Sequence, residues 1–193
     1  LEEFDFAIDW GDGTVEVYST DWDRENDYVY HSYDRNGTYT IRIAGDFPAM
    51  YYYESVSDYG VLQSIEQWGD IQWKSMESMF DGAYDMVYNA TDSPDLSEGP
   101  SLEYMFYDAG KANGDFGDWD ITTVTNMGSM LYNSGLSLQN YEATLAGWAA
   151  QEVQTGIMLG ADGLKYCDVS NRDFLITEKN WTISGDSPLG EEV

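Results

Sequence analysis

The sequence predicts an α+β fold: a short α/β solenoid of 25–26-residue repeats, capped by an N-terminal β-unit and closed by a C-terminal helix and β-element. Three observations predict it. A similar segment recurs at residues 74–83, 101–109 and 126–134, with Met79, Met105 and Met130 spaced by 26 and then 25 residues; a fixed period of this size marks units that bury their apolar faces on one another. The first 48 residues alternate apolar and polar positions, as half-buried strands do. Past the repeat, residues 138–151 carry Tyr141, Leu145 and Trp148 at helical spacing.

Taken in order, Phe4 to Trp10 alternates, Gly11-Asp12-Gly13 forms a tight turn, and Val15 to Tyr18 resumes the alternation. Residues 37–45 read as the clearest strand, with Tyr39, Ile41 and Ile43 on one face, and Pro48 ends the unit. In the repeat, Met76, Met79, Phe80 and Ala83 stand at i, i+3, i+4 and i+7. Leu102, Met105, Phe106 and Ala109 repeat that stripe, as do Met127, Met130, Leu131 and Ser134. Each rung is therefore expected to be a short amphipathic helix with an inward stripe. Such helices are too short to stand alone. Each buried Met, Phe or Leu should contribute roughly 1.5–3 kcal/mol once its neighbour is stacked on it. Asp70-Ile71, Asp95-Leu96 and Asp120-Ile121 precede the rungs and supply one short strand or turn each. Ser137 is placed to cap the following helix. Residues 157–160, 164–166 and 181–184 suggest the closing β-element. The expected divisions are a β-unit at 1–48, the repeat at 61–135 and the closing cap at 136–193, together one compact module.

Thirty-six acidic residues against 8 basic ones give a net charge of −28. A folded chain so charged repels itself, which points either to bound calcium, a cation that takes six to eight oxygen ligands, or to a salt-adapted surface. Without a basic patch, nucleic acid is excluded as a partner. Cys167 is the only cysteine and His31 the only histidine, so neither a disulfide framework nor a zinc cluster is available. No apolar run approaches a membrane span, and direct membrane insertion is not expected. The chain begins at Leu1 rather than Met, which reads as a monomeric module of a longer protein. No nucleophile elbow, phosphate loop or His-containing metal motif is present, and the chain is not expected to be an enzyme.

Residues 113–131, Asn-Gly-Asp-Phe-Gly-Asp-Trp-Asp-Ile-Thr-Thr-Val-Thr-Asn-Met-Gly-Ser-Met-Leu, resemble the leucine-rich-like repeat of BspA-type bacterial surface proteins. Residues 136–148 and 181–186 are similar to that family's C-terminal closure. Asp9-Trp10-Gly11-Asp12-Gly13-Thr14, with His31-Ser32-Tyr33 and Gly37-Thr38-Tyr39-Thr40, resembles the PKD-like unit often fused to it. The resemblance covers almost the whole chain and departs from the family in few rungs, many tyrosines and extreme acidity. It implies a secreted or cell-surface adhesion module. A narrower resemblance, to the peptide-binding domains of calcium-dependent RTX adhesins, implies a protein C-terminus as ligand, held partly through calcium.

Two candidate sites follow from the residues. Asn113, Asp115, Asp118 and Asp120 place four oxygen-bearing side chains within eight residues, a density suited to calcium; the same residue types also satisfy turn backbones. Asp9, Asp12 and Glu16 lack the order of an EF-hand loop and read as a β-turn. Tyr51, Tyr52 and Tyr53, with Trp68 and Trp73, could line a ligand groove between the β-unit and the first rungs or pack that junction. The expected function is recognition of a protein or peptide on a host or neighbouring cell, with calcium completing the capture of a carboxylate such as a free C-terminus. A calcium-dependent carbohydrate-binding module and a non-binding structural spacer are the alternatives.

Overall fold

The computed structural model describes residues 5–19, 29–47, 49–50 and 61–190. The chain divides into two compact units, Leu1–Pro48 and Ala49–Val193; residues 61–135 and 136–193 belong to the same one.

In the first unit β1 (Asp5–Asp9) lies between β2 (Val15–Ser19) and β3 (Arg42–Asp46), antiparallel to both, with Ile8 opposite Glu16 and Ile43. The alternation in β1 buries Phe6, Ile8 and Trp10. Gly11 takes φ +78°, and a Cβ there would lie 2.6 Å from the Thr40 carbonyl oxygen, so the turn after β1 requires glycine. The third strand starts at Arg42 rather than Gly37. Tyr39 stacks its ring on Tyr33 at 4.0 Å and donates its hydroxyl to the Arg35 carbonyl, which holds the preceding stretch in a loop. Tyr33 stands edge-on to His31, which stacks on Trp10.

The second unit overturns the expected α/β solenoid. Among the described residues the regular structure is mostly short strands, and no solenoid of leucine-rich-like repeats forms. The two helices, α1 (Leu138–Ala149) and α2 (Ser170–Glu178), both lie past the rungs. The apolar stripe is nonetheless buried: Met76, Met79, Phe80 and Ala83 are at most 3% exposed, and Leu102, Met105, Phe106 and Ala109 are fully shielded.

The rung backbone explains the difference. The N–H groups of Met76, Ser78, Phe80 and Gly82 donate to the carbonyls of Ser101, Glu103, Met105 and Tyr107 on the next rung. Those of Leu102, Tyr104, Phe106 and Asp108 donate in turn to Asn126, Gly128, Met130 and Tyr132. A helix would need these donors for its own i→i−4 bonds. The intervening residues close four-residue turns instead, as Met79 N–H does to the Met76 carbonyl and Ala83 N–H to that of Phe80. Two backbone positions per rung are left-handed: Ser78, Tyr104 and Ser129 at the first, and Gly82, Asp108 and Asn133 at the second. Glycine, Asn and Asp enter that region most readily. Consecutive turns of this kind place i, i+3, i+4 and i+7 on one side as a helix does.

The strands β4 (Ser64–Ile65) and β5 (Val87–Tyr88) pair in parallel before the second rung. Beyond the third rung, Leu131 and Asn133 N–H donate to Gly160 and Asp162. β6 (Met158–Gly160) pairs in parallel with β8 (Thr182–Ser184), and β7 (Lys165–Tyr166) with β9 (Ser187–Pro188). Ser137 caps α1 by accepting from the Asn140 N–H. One side of α1 satisfies the backbone left open at residues 116–121. Thr144 Oγ1 accepts from the Phe116 N–H and the Trp148 indole donates to the Phe116 carbonyl. Gln151 accepts from the Ile121 N–H and donates to the Trp119 carbonyl. Helix α2 went unanticipated in sequence; it is held by Arg172, whose guanidinium grips the fully shielded Asp186 through two 2.8 Å bonds.

Candidate functional site

Because Phe106 and Leu131 point into the core, the residues that follow them point out. Tyr107 and Tyr132 therefore stand in register on adjacent rungs, half-buried, with ring centroids 4.4 Å apart and planes within 6°. Tyr104 meets the Tyr107 ring edge-on at 5.7 Å and is 38% exposed. On the first rung the corresponding position is Asp81. The left-handed turn places Asp108 one residue past Tyr107, where its carboxylate accepts from the Asn133 amide at 3.0 Å.

The electrostatics of this column are unbalanced. Burial, and then the charge of Asp108, raises the Asp81 carboxyl above its ordinary value. Burial raises the Tyr107 hydroxyl too, with Tyr132 and Asp108 adding to it. Among the described residues neither Asp81 nor Asp108 has a basic side chain at ion-pair distance, whereas nearby Asp85 is paired with Lys111 at 2.5 Å. The column thus presents tyrosine edges and hydroxyls beside two carboxylates that have no counter-charge at ion-pair distance among the described residues.

The residues singled out in sequence fall elsewhere. Tyr51, Tyr52 and Tyr53 lie outside the described residues. Trp68 and Trp73 are each 5% exposed and pack edge-to-face at 6.0 Å; Trp68 also meets Trp119 at 5.6 Å and donates its indole N–H to the Tyr88 hydroxyl. Their rings pack into the core of the second unit, with little surface left open.

Asn113, Asp115, Asp118 and Asp120 are all exposed. Asn113 accepts from the Ser137 N–H and ties down the start of α1, with the Asn140 amide bridging to it. Asp115 accepts from the Gly117 N–H, and Asp120 from the N–H and hydroxyl of Thr122. These bonds are the turn-satisfying role open to Asn and Asp. Among the described residues no three His, Cys, Asp or Glu side chains gather into a cluster.

The tyrosine column leaves no mark in any single residue of the sequence. The signal that finds it is the shared offset: Tyr107 and Tyr132 each follow the last large buried residue of a rung, 25 positions apart.

Fold and column together define a β-rich protein of hydrogen-bonded rungs with a tyrosine-faced outer side. A family model described as "Mycoplasma protein of unknown function, DUF285" matches residues 49–159, more than half of the chain, and the chain belongs to that family. No curated protein and no solved structure matches it. Among the described residues no helix is long and apolar enough to cross a membrane.

Proposed function

We propose that the chain is the recognition module of a secreted or cell-surface protein, binding a protein or peptide segment of another cell across the tyrosine column. The observation that carries this reading is the in-register pair Tyr107 and Tyr132, joined by Tyr104 on a hydrogen-bonded scaffold. Tyrosine gives large contact area with few rotors and a polar tip, and a rigid base removes part of the ordering cost of binding. The function is binding rather than catalysis. The two rings cover one face of each other, and their edges and hydroxyls offer a peptide both apolar contact and hydrogen bonds. Calcium enters the proposal as an ion that screens the −28 charge.

The test is an array of short peptides with free and amidated C-termini, probed in calcium and in chelator at matched ionic strength. Peptide hits that disappear with Tyr107→Ala/Tyr132→Ala are expected. Hits confined to free C-termini and lost in chelator would assign calcium a direct role in carboxylate capture. An array without hits, or hits indifferent to the tyrosine variant, would sink the proposal.

A further inference from the structure

We infer that the ligand presents an arginine or lysine side chain to Asp81 and Asp108 at the edge of the tyrosine column. This inference rests on reading the column as the ligand face and adds the chemistry of what binds there. The Gly82 N–H donates to the Tyr107 carbonyl, so the rung register sets Asp81 beside the Tyr107–Asp108 step of the next rung, where the Asp108 charge and burial both raise the Asp81 carboxyl; among the described residues no basic side chain stands at ion-pair distance from either. The Asn133 amide meets one oxygen of Asp108 and brings no charge.

The charge of the whole chain points the same way. With 36 acidic residues against 8 basic, the long-range field attracts cations and repels anionic partners. An extended peptide laid along the rungs would bring its cation to the carboxylates while its apolar parts meet the tyrosine edges. Guanidinium fits best, because its planar fork can engage a carboxylate and a phenol oxygen together.

The probe is the peptide acetyl-Gly-Arg-Gly-Arg-Gly-amide, compared with its twin in which citrulline replaces arginine, in about 0.15 M salt. Citrulline keeps the shape and removes the charge. The readout is the shift of the Tyr107 and Tyr132 ring signals in NMR titrations. Saturable shifts with arginine and none with citrulline are expected, and Asp81→Asn/Asp108→Asn should weaken binding about tenfold, as two partly exposed ion pairs would. Asparagine suits the left-handed backbone of residue 108 and can still accept from Asn133, so this variant should melt no lower than the parent. Glu98→Gln/Glu178→Gln removes the same charge from exposed positions elsewhere and should leave the affinity within about twofold.

Equal losses in both double variants would reduce the effect to net charge and overturn the inference. So would citrulline binding as tightly as arginine, or shifts that avoid the column. Array hits that need Tyr107 and Tyr132 but carry no arginine or lysine would leave the recognition reading standing and remove this one alone.

Discussion

Gly147 lies inside α1, where alanine would ordinarily stabilise the helix by about 1 kcal/mol. The packing opposes that gain. A Cβ at Gly147 would sit 2.3 Å from the Gly117 carbonyl oxygen and 2.5 Å from its carbon and Cα, and a Cβ at Gly117 would sit 2.7 Å from the Ala143 carbonyl oxygen. The obstacle is backbone on both sides, so no side chain can swing away. Relief requires the helix to lift by about 1 Å to reach ordinary contact at 3.4 Å. That movement stretches the bonds from Thr144, Trp148 and Gln151 to residues 116–121, which now measure 2.8–3.1 Å. A weakened buried hydrogen bond costs about 1 kcal/mol, and overpacking about 1–3 kcal/mol. The steric terms should therefore outweigh the propensity, leaving Gly147→Ala about 2–4 kcal/mol less stable. Urea unfolding followed by tryptophan fluorescence would read this as a midpoint lowered by on the order of 1–2 M. A variant as stable as the parent, or more so, would show that the helix does not rest on Gly117.

Three further outcomes are expected. Asp186→Asn strands Arg172 and weakens the bond from the Tyr141 hydroxyl, and should cost about 3 kcal/mol in the same assay; Arg172→Met/Asp186→Leu should recover part of the loss. The hydrogen bond from His31, and after it the Thr14 N–H, holds the Asp12 carboxyl down at about 2 against an ordinary 3.8. Its stabilisation of the first unit is thus complete above about pH 4 and lost as pH falls through about 2; Asp12→Asn should flatten that dependence in a Trp10-monitored acid titration. Asp81 has the opposite sign: its raised carboxyl destabilises the fold once ionised and is relieved as pH falls through the folded value. Asp81→Asn should raise the melting temperature at pH 7 and lose its advantage in acid.

The rung stripes were legible because burial depends on which residues share a side, and Met76, Met79, Phe80 and Ala83 share one whether the backbone is helical or turned. The conformation was not, because hydrogen-bond direction leaves no mark in an apolar pattern. Gly82, Asp108 and Asn133 did mark it, recurring where only a left-handed backbone has use for them; Tyr104, at φ 56°, carries no such signature. The acids of residues 113–120 illustrate the limit for the site. Calcium loops and turns call on the same side chains, and here Asn113, Asp115 and Asp120 accept from the Ser137, Gly117 and Thr122 amides. Helix α2 was hidden because Leu175 is its only buried residue, too few for a periodic stripe.

The core sulfur atoms carry a consequence for endurance in oxidising surroundings. Met76, Met79, Met86, Met105, Met127 and Met130 have no exposed surface, whereas Met158 is 57% exposed. Conversion to the polar sulfoxide would split a well-shielded core, but the reagent must first reach the thioether. Peroxide should therefore be consumed at the exposed Cys167 and Met158, and at half-buried Met50, well before it reaches the sulfur atoms that hold the rungs together. The rungs enclose the thioethers whose loss would matter most, and that closure turns their position into chemical durability.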